Sequence, residues 1–207
     1  MTILKKLYVD LDDVIGETAV RLLEISARDF GRNVAFEDVI SYNLEEVLKL
    51  SDTETEEFYL RSNSPEVLKS LAPRANAVDG LTVCQKNGFE VWIVTGRPAQ
   101  AYRPTQDWLA EFAVPYDELL FVNKFGLPYK GDGPPPVEPI TLDTLADINF
   151  FAAIEDHLGM ARFVAERMQI QVLLMDRPWN RDVGTDLSPL IHRCYQWPDV
   201  LQTLGIG

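Results

Sequence analysis

Apolar residues run from Ile3 to Val9, broken only by Lys5 and Lys6, and stop at three carboxylates, Asp10, Asp12 and Asp13. Such a run predicts a buried strand that ends in an acidic turn. The spacing then lengthens. Ala19, Leu22, Leu23 and Phe30 share one helical face within residues 17–30, and Gly31 is a stop signal. The next forty residues are rich in Glu and aromatics and show no strand-like alternation. Leu44, Val47 and Leu48 predict one helix, and Ser51-Asp52 caps a second that carries Phe58 and Tyr59. Ser64-Pro65-Glu66 starts a third, with Val67, Leu68 and Leu71 buried and Pro73 as its end.

From Arg74 onward the pattern alternates between the two periods. Ala77, Leu81 and Cys84 share a helical face closed by Asn87-Gly88, and residues 89–94 read as a strand ending in Thr95-Gly96-Arg97-Pro98. Residues 105–112 read as a helix and 119–122 as a strand running into Asn123-Lys124. A loop rich in Gly and Pro covers 126–139, and a short helix near 141–146 leads to a strand at 150–154 ending in Glu155-Asp156-His157. Residues 158–167 read as a helix and 170–175 as a strand ending in Asp176-Arg177-Pro178. An extended piece at 191–197 and a helix at 198–204 close the chain. Strands alternating with helices of this length imply βαβ units, hence a doubly wound, Rossmann-like parallel sheet with helices on both faces. Residues 1–14 and 74–207 are expected to form this α/β core, with residues 15–73 a small helical cap inserted after the first strand.

Composition narrows the field. At 207 residues, 46% hydrophobic and 25% charged, the chain is an ordinary globular protein large enough for one sizeable core. Its net charge of −13 argues against binding a nucleic acid polymer, which needs a basic surface, but leaves a single nucleotide open. Two cysteines make no disulfide framework. No apolar run approaches the ~20 residues of a membrane span. No signal peptide is apparent, so a cytoplasmic protein, monomer or homodimer, is expected.

In a doubly wound sheet, ligands bind beyond the carboxyl ends of the strands. Asp10 and Asp12, Thr95, Lys124 and Glu155-Asp156 each directly follow a predicted strand, so they share an address. Asp10 and Asp12 are two apart and leave one face of an extended chain. At ~4 Å and an effective dielectric of ~20 two carboxylates repel by ~4 kcal/mol, a cost that a hard divalent cation such as Mg²⁺ removes. Asp10 is a candidate nucleophile toward a phosphoryl group, and Asp12 a candidate general acid and base. Thr95 and Lys124 would hold the phosphoryl oxygens, and Glu155 and Asp156 would complete the metal's ligands.

Bland alternatives stand beside these. Asp-x-Asp alone is often a surface turn, Thr95 a strand-end cap, Arg97 part of a structural ion pair, and Glu155-Asp156 a helix cap. Lys124 has a rival in Lys130. His157 and His192 read as structural. Phe36, Tyr42, Phe58 and Tyr59 stack on a base or form the core of the helical lobe.

Asp10-Leu11-Asp12-Asp13-Val14, Thr95-Gly96-Arg97, Lys124 and Glu155-Asp156 resemble, in order, the four motifs of the haloacid dehalogenase superfamily, most of whose members are phosphatases. Within it the chain is most similar to the 5′(3′)-deoxyribonucleotidases. These have a small helical cap, a late segment like Val172-Leu173-Leu174-Met175-Asp176-Arg177-Pro178-Trp179-Asn180, and a tail like Tyr195-Gln196-Trp197-Pro198-Asp199-Val200-Leu201. The resemblance implies a Mg²⁺-dependent phosphomonoesterase acting through an aspartyl-phosphate on nucleoside or deoxynucleoside monophosphates. Asp10 would be the nucleophile and Asp12 the acid/base with its carbonyl on Mg²⁺, and Glu155 and Asp156 would complete the metal site. Thr95, Gly96, Arg97 and Lys124 would bind the phosphate, with Phe36 and Tyr42 facing the rest of the substrate. A sugar phosphate or other small metabolite, or a non-catalytic binding role, are the alternatives. Two positions depart from the pattern. Asp13 stands where Gly is frequent, and Glu155 stands for an Asp, which leaves open whether Glu155 or Asp156 touches the metal.

Overall fold

A computed structural model describes residues 5–125, 133–181 and 187–207 of the protein. The first apolar run forms β1 (Lys5–Val9), and β2 (Phe89–Thr95), β3 (Glu118–Phe121), β4 (Ala152–Glu155), β5 (Gln171–Met175) and β6 (Ile191–Cys194) join it. All pair in parallel, in the order β3-β2-β1-β4-β5-β6. The two-residue period of these strands decides which layer each side chain enters. Leu7, Val9, Val91, Ile93, Ile154 and Leu173 belong to one apolar cluster, and Tyr8, Val94, Ala153, Val172 and Leu174 to the other.

Helices cover both faces. The first cluster is closed by α5 (Ala77–Lys86), α6 (Tyr102–Glu111) and α9 (Trp197–Thr203), which contribute Leu81, Trp108 and Trp197. The second is closed by α7 (Leu142–Ala146) and α8 (Leu158–Phe163), through Leu145 and Met160. Burying each such large side chain contributes about 1.5–3 kcal/mol.

Between β1 and β2 lie α1 (Thr18–Phe30), α2 (Leu44–Leu48), α3 (Asp52–Ser62) and α4 (Pro65–Lys69). Leu22, Leu23, Ile25, Val39, Leu44, Leu48, Phe58 and Val67 form a third apolar cluster of their own. Val67 sits in it while Leu68 and Leu71 sit in the sheet's core, so α4 belongs to both layers. The caps are those the sequence spells. Gly31 ends α1 with φ 65°, Ser51 and Glu54 form a capping box on α3, and Ser64 caps α4 with Pro65 at its first position.

A few boundaries differ from the sequence pattern. α6 starts three residues early, at Tyr102, because Pro104 falls in its first turn, where no N–H donor is needed. The helix expected at 158–167 is α8 followed by a wider π-helical turn, Val164–Met168, that Gln169 ends in a left-handed conformation (φ 58°). β4 starts two residues late, since the Phe150 ring turns into the core against Tyr8 and Trp92. Of the loop at 126–139, residues 126–132, with Lys130, lie outside the described residues.

The chain runs from β1 outward through β2 and β3, then returns to the other side of β1 to lay down β4. Strand order therefore reverses between β1 and β4, and a crevice opens beyond the carboxyl ends of such strands.

Candidate active site

Asp10 follows β1 directly, and its backbone N–H donates to the Ile154 carbonyl of β4 at 2.9 Å. This bond ties the two acidic strand ends together. Asp10, Glu155 and Asp156 are all buried, and one carboxylate oxygen of each lies within 4.8 Å of the others. Lys124, just past β3, reaches into this group with a side chain only 3% exposed, donating to Asp10 Oδ1 at 2.7 Å and Glu155 Oε1 at 2.8 Å. Gly96 makes room for it. A Cβ there would lie 2.9 Å from the Phe125 ring and 3.1 Å from Lys124 Cδ.

The two acids after β4 have different surroundings. Glu155 has both oxygens engaged: Oε1 accepts from Lys124 and from the Tyr8 hydroxyl (2.8 Å), and Oε2 accepts the N–H groups of Asp156 and His157 (3.0 Å each). Asp156 Oδ2 accepts Trp179 Nε1 at 3.0 Å, and its other oxygen has no hydrogen bond among the described residues.

Asp12 is held apart from this group. Arg97 grips it from Nε (3.0 Å to Oδ2) and Nη2 (2.7 Å to Oδ1), and the Thr18 hydroxyl donates to Oδ1 at 2.5 Å. Arg97 also donates to Thr105 Oγ1 at 3.0 Å, and its backbone N–H donates to Thr95 Oγ1 at 3.1 Å. The ion pair is thus what this structure shows for Arg97, with Thr95 fully buried behind it. Asp13 takes the left-handed backbone (φ 57°) that makes Gly the easy choice in such a turn. Its carboxylate accepts the Ala19 N–H on both oxygens, at 3.1 Å each.

Titration follows from these contacts. Burial first, then Glu155, push Asp10 up to about 7 against the pull of Lys124. Asp13 is likewise raised to about 7, chiefly by burial. Burial, Asp10 and Glu155 lift Asp156 well above the ordinary carboxylate range. Burial would raise Asp12 and Glu155 too, but Arg97, Thr18 and Lys124 together outweigh it at Asp12, and Lys124, Tyr8 and the His157 N–H together at Glu155, so both lie low. Desolvation opposes the charge on Lys124, yet Asp10 and Glu155 hold its ammonium well above its usual value.

Among the described residues one ammonium thus pairs with two of the three clustered carboxylates, Asp10 and Glu155. The surplus of negative charge, the all-oxygen donor set and the unpaired Asp156 oxygen fit a small hard cation.

The predicted aromatics lie at the junction of the helical layer and the sheet. Tyr42, 41% exposed, packs on His157 (ring centroids 4.1 Å apart) and Phe125 (5.8 Å). Phe36 meets Trp179 edge-on at 5.8 Å. Phe58 is fully buried in the third cluster and takes no part in the site, and Tyr59 packs on it and donates to Glu45.

Sequence reasoning missed Tyr8, Thr18, Trp179 and Asn180 as neighbours of the site. Tyr8 had a signal: a phenol in an apolar strand, two residues before Asp10, leaves the same face. Thr18 had none, since its hydroxyl reaches Asp12 only through the local turn.

Comparison with known proteins adds the following. The family model described as 5′ nucleotidase, deoxy (pyrimidine), cytosolic type C protein (NT5C) matches residues 4–127. BH1399 of Halalkalibacterium halodurans, provisionally named a nucleotidase, is 26% identical over 179 residues, covering 86% of this chain and 82% of that protein. The haloacid dehalogenase-like hydrolase SP0104 of Streptococcus pneumoniae superposes with a TM-score of 0.66 at 14% identity, over 99% of this chain and all of that one. YfnB of Bacillus subtilis, described as a HAD-hydrolase and solved with magnesium, superposes with a TM-score of 0.56 at 13% identity, over 98% and 99%. No helix among the described residues is long and apolar enough to cross a membrane.

Proposed function

The chain belongs to the deoxy (pyrimidine), cytosolic type C 5′ nucleotidase family, a haloacid dehalogenase-like hydrolase of phosphate monoesters, and from that premise we propose a Mg²⁺-dependent nucleoside or deoxynucleoside monophosphatase. The reading rests on one observation: Asp10, Lys124, Glu155 and Asp156 meet in a buried group after three different strands. Asp10 and Asp156 would hold the cation, joined by the Asp12 carbonyl, while Glu155 holds Lys124. When bound, the ion offsets the repulsion between carboxylate and phosphate, which at ~4 Å and a dielectric of ~20 is roughly 8 kcal/mol for a dianion.

Asp10 attacks phosphorus, forming the Asp10 oxygen–phosphorus bond as the bond to the leaving oxygen breaks. Asp12 gives that oxygen its proton and later takes one from the water that hydrolyses the aspartyl-phosphate. Arg97 keeps Asp12 ionised in the free protein; once a phosphate draws Arg97 away, Asp12 takes up a proton from solvent, and this is the proton it gives to the leaving oxygen. Lys124, the Thr95 hydroxyl and the Gly96 turn steady the phosphoryl oxygens. Residues 15–73 act as the cap over residues 1–14 and 74–207, with Phe36 and Tyr42 against the nucleoside. Their contacts with Trp179 and His157 support that placement.

The test is phosphate release from a panel of ribo- and deoxyribonucleoside monophosphates and sugar phosphates, with Mg²⁺ or a chelator. Release from the nucleotides only with Mg²⁺, abolished in Asp10→Asn, is expected. Preference for sugar phosphates would overturn the nucleotide assignment, and near-normal turnover in Asp10→Asn would overturn the nucleophile.

A further inference from the structure

The segment after β5 has no part in the chemistry just described, yet three of its side chains reach the acid cluster. Arg177 is 2% exposed. Its guanidinium donates from Nε (2.9 Å) and Nη2 to the Asp13 carbonyl, and from Nη1 to the Asp176 carbonyl. Trp179 Nε1 donates to Asp156 Oδ2 at 3.0 Å. Asn180, fully buried, donates from Nδ2 to the carbonyls of Asp156 (2.7 Å) and Met175 (2.8 Å). Its own Oδ1 accepts the Arg177 N–H at 3.2 Å and Arg193 Nη1 at 2.7 Å.

We propose that Arg177, Trp179 and Asn180 are positioning residues that lock the acidic turn after β1 against the acids after β4, with Trp179 aiming Asp156 at the cation. The proposal rests on the reading of the site as a divalent-cation site.

Two physical points carry it. Burying a guanidinium is costly unless its donors are satisfied. Among the described residues Arg177 has no carboxylate in salt-bridge range, and its donors are spent on backbone carbonyls. One of these belongs to Asp13, whose left-handed backbone is unfavourable for a residue with a side chain and needs holding. Trp179 is informative in another way. Its contact with Phe36 needs only an aromatic ring, which Phe would supply. The indole N–H is the part that reaches Asp156, and by occupying one carboxylate oxygen it fixes the plane of the other. Partners of this kind behind a metal ligand are worth roughly 10–100-fold in metal affinity.

The experiment is Mn²⁺ titration of the whole protein without substrate, followed by electron paramagnetic resonance, on wild type and Trp179→Phe. Thermal unfolding in chelator runs alongside, and turnover of a nucleotide is measured separately. Trp179→Phe is expected to bind Mn²⁺ about tenfold more weakly, with the metal-free melting temperature and the substrate KM at saturating cation unchanged. Affinity within about twofold of wild type would overturn the role of Trp179, as would a loss of affinity matched by a loss of metal-free stability. Wild-type protein that takes up no Mn²⁺ would instead overturn the reading of the site, and the positioning proposal with it.

Discussion

Lys124 stands in contact with two carboxylates because the residue across from it, Gly96, has no side chain. A methyl group at Gly96 would meet both the Lys124 stem and the Phe125 ring, and the lysine, packed at 3% exposure, has little room to retreat. Gly96→Ala is therefore expected to keep the fold and lower kcat by about a hundredfold, as small displacements of positioned groups do. Steady-state kinetics with circular dichroism would check it. Near-normal kcat would mean that Phe125, 42% exposed, gives way instead. Tyr8 is the complementary case. Its phenol shares Glu155 Oε1 with Lys124, and Tyr8→Phe leaves that oxygen one donor short at no change in shape. We expect a loss of about 1.5–3 kcal/mol in unfolding free energy, typical of a hydrogen bond to a charged group, read from urea denaturation. An unchanged midpoint would mean that another donor serves Glu155.

At the scale of elements, the sequence was most readable where backbone rules act locally. Ser51 and Glu54 spell a capping box, and the Ser51 N–H donates to Glu54 at 2.8 Å. Ser51→Ala should cost about 1 kcal/mol in unfolding free energy, seen as a lower urea midpoint, and leave turnover on a small phosphate ester unchanged, since α3 carries no group of the site. An unmoved midpoint would show that α3 is held by Phe58 packing alone. Strand ends were as legible as caps, because a run of apolar residues that stops at Asp, Thr or Glu marks where the sheet stops. What the pattern could not show was which strand ends share hydrogen bonds. Arg97 reads equally as a phosphate ligand or an ion-pair partner, and only the approach of β2 to β1 puts it on Asp12. Asn180 and Arg177 were visible as a motif. Their partners, Asp156 and Asp13, lie 24 and 164 residues away, and no local rule connects them.

The whole molecule carries a net charge of −13 and still buries Asp10, Asp13, Glu155 and Asp156, of which Lys124 pairs with Asp10 and Glu155. A carboxylate whose folded pKa lies above its unfolded value binds its proton more tightly in the folded state. Its contribution to stability is then fully present below the unfolded value, near 4, and is lost as pH rises through the folded value. Asp10 and Asp13, both raised to about 7, and Asp156, raised well above the ordinary carboxylate range, all act in this direction. Metal-free protein is therefore expected to melt at a higher temperature near pH 5 than near pH 8. A divalent cation opposes the preference, because it binds the ionised acids and stabilises the folded state according to its affinity. Saturating Mg²⁺ should accordingly raise the melting temperature more near pH 8 than near pH 5 and flatten the slope between them. Differential scanning calorimetry at both pH values, with chelator and with Mg²⁺, measures each part separately. A metal-free protein more stable near pH 8 would mean that the acids are ionised and satisfied without a cation. A Mg²⁺ shift equal at both pH values would mean that the ion binds elsewhere on the acidic surface.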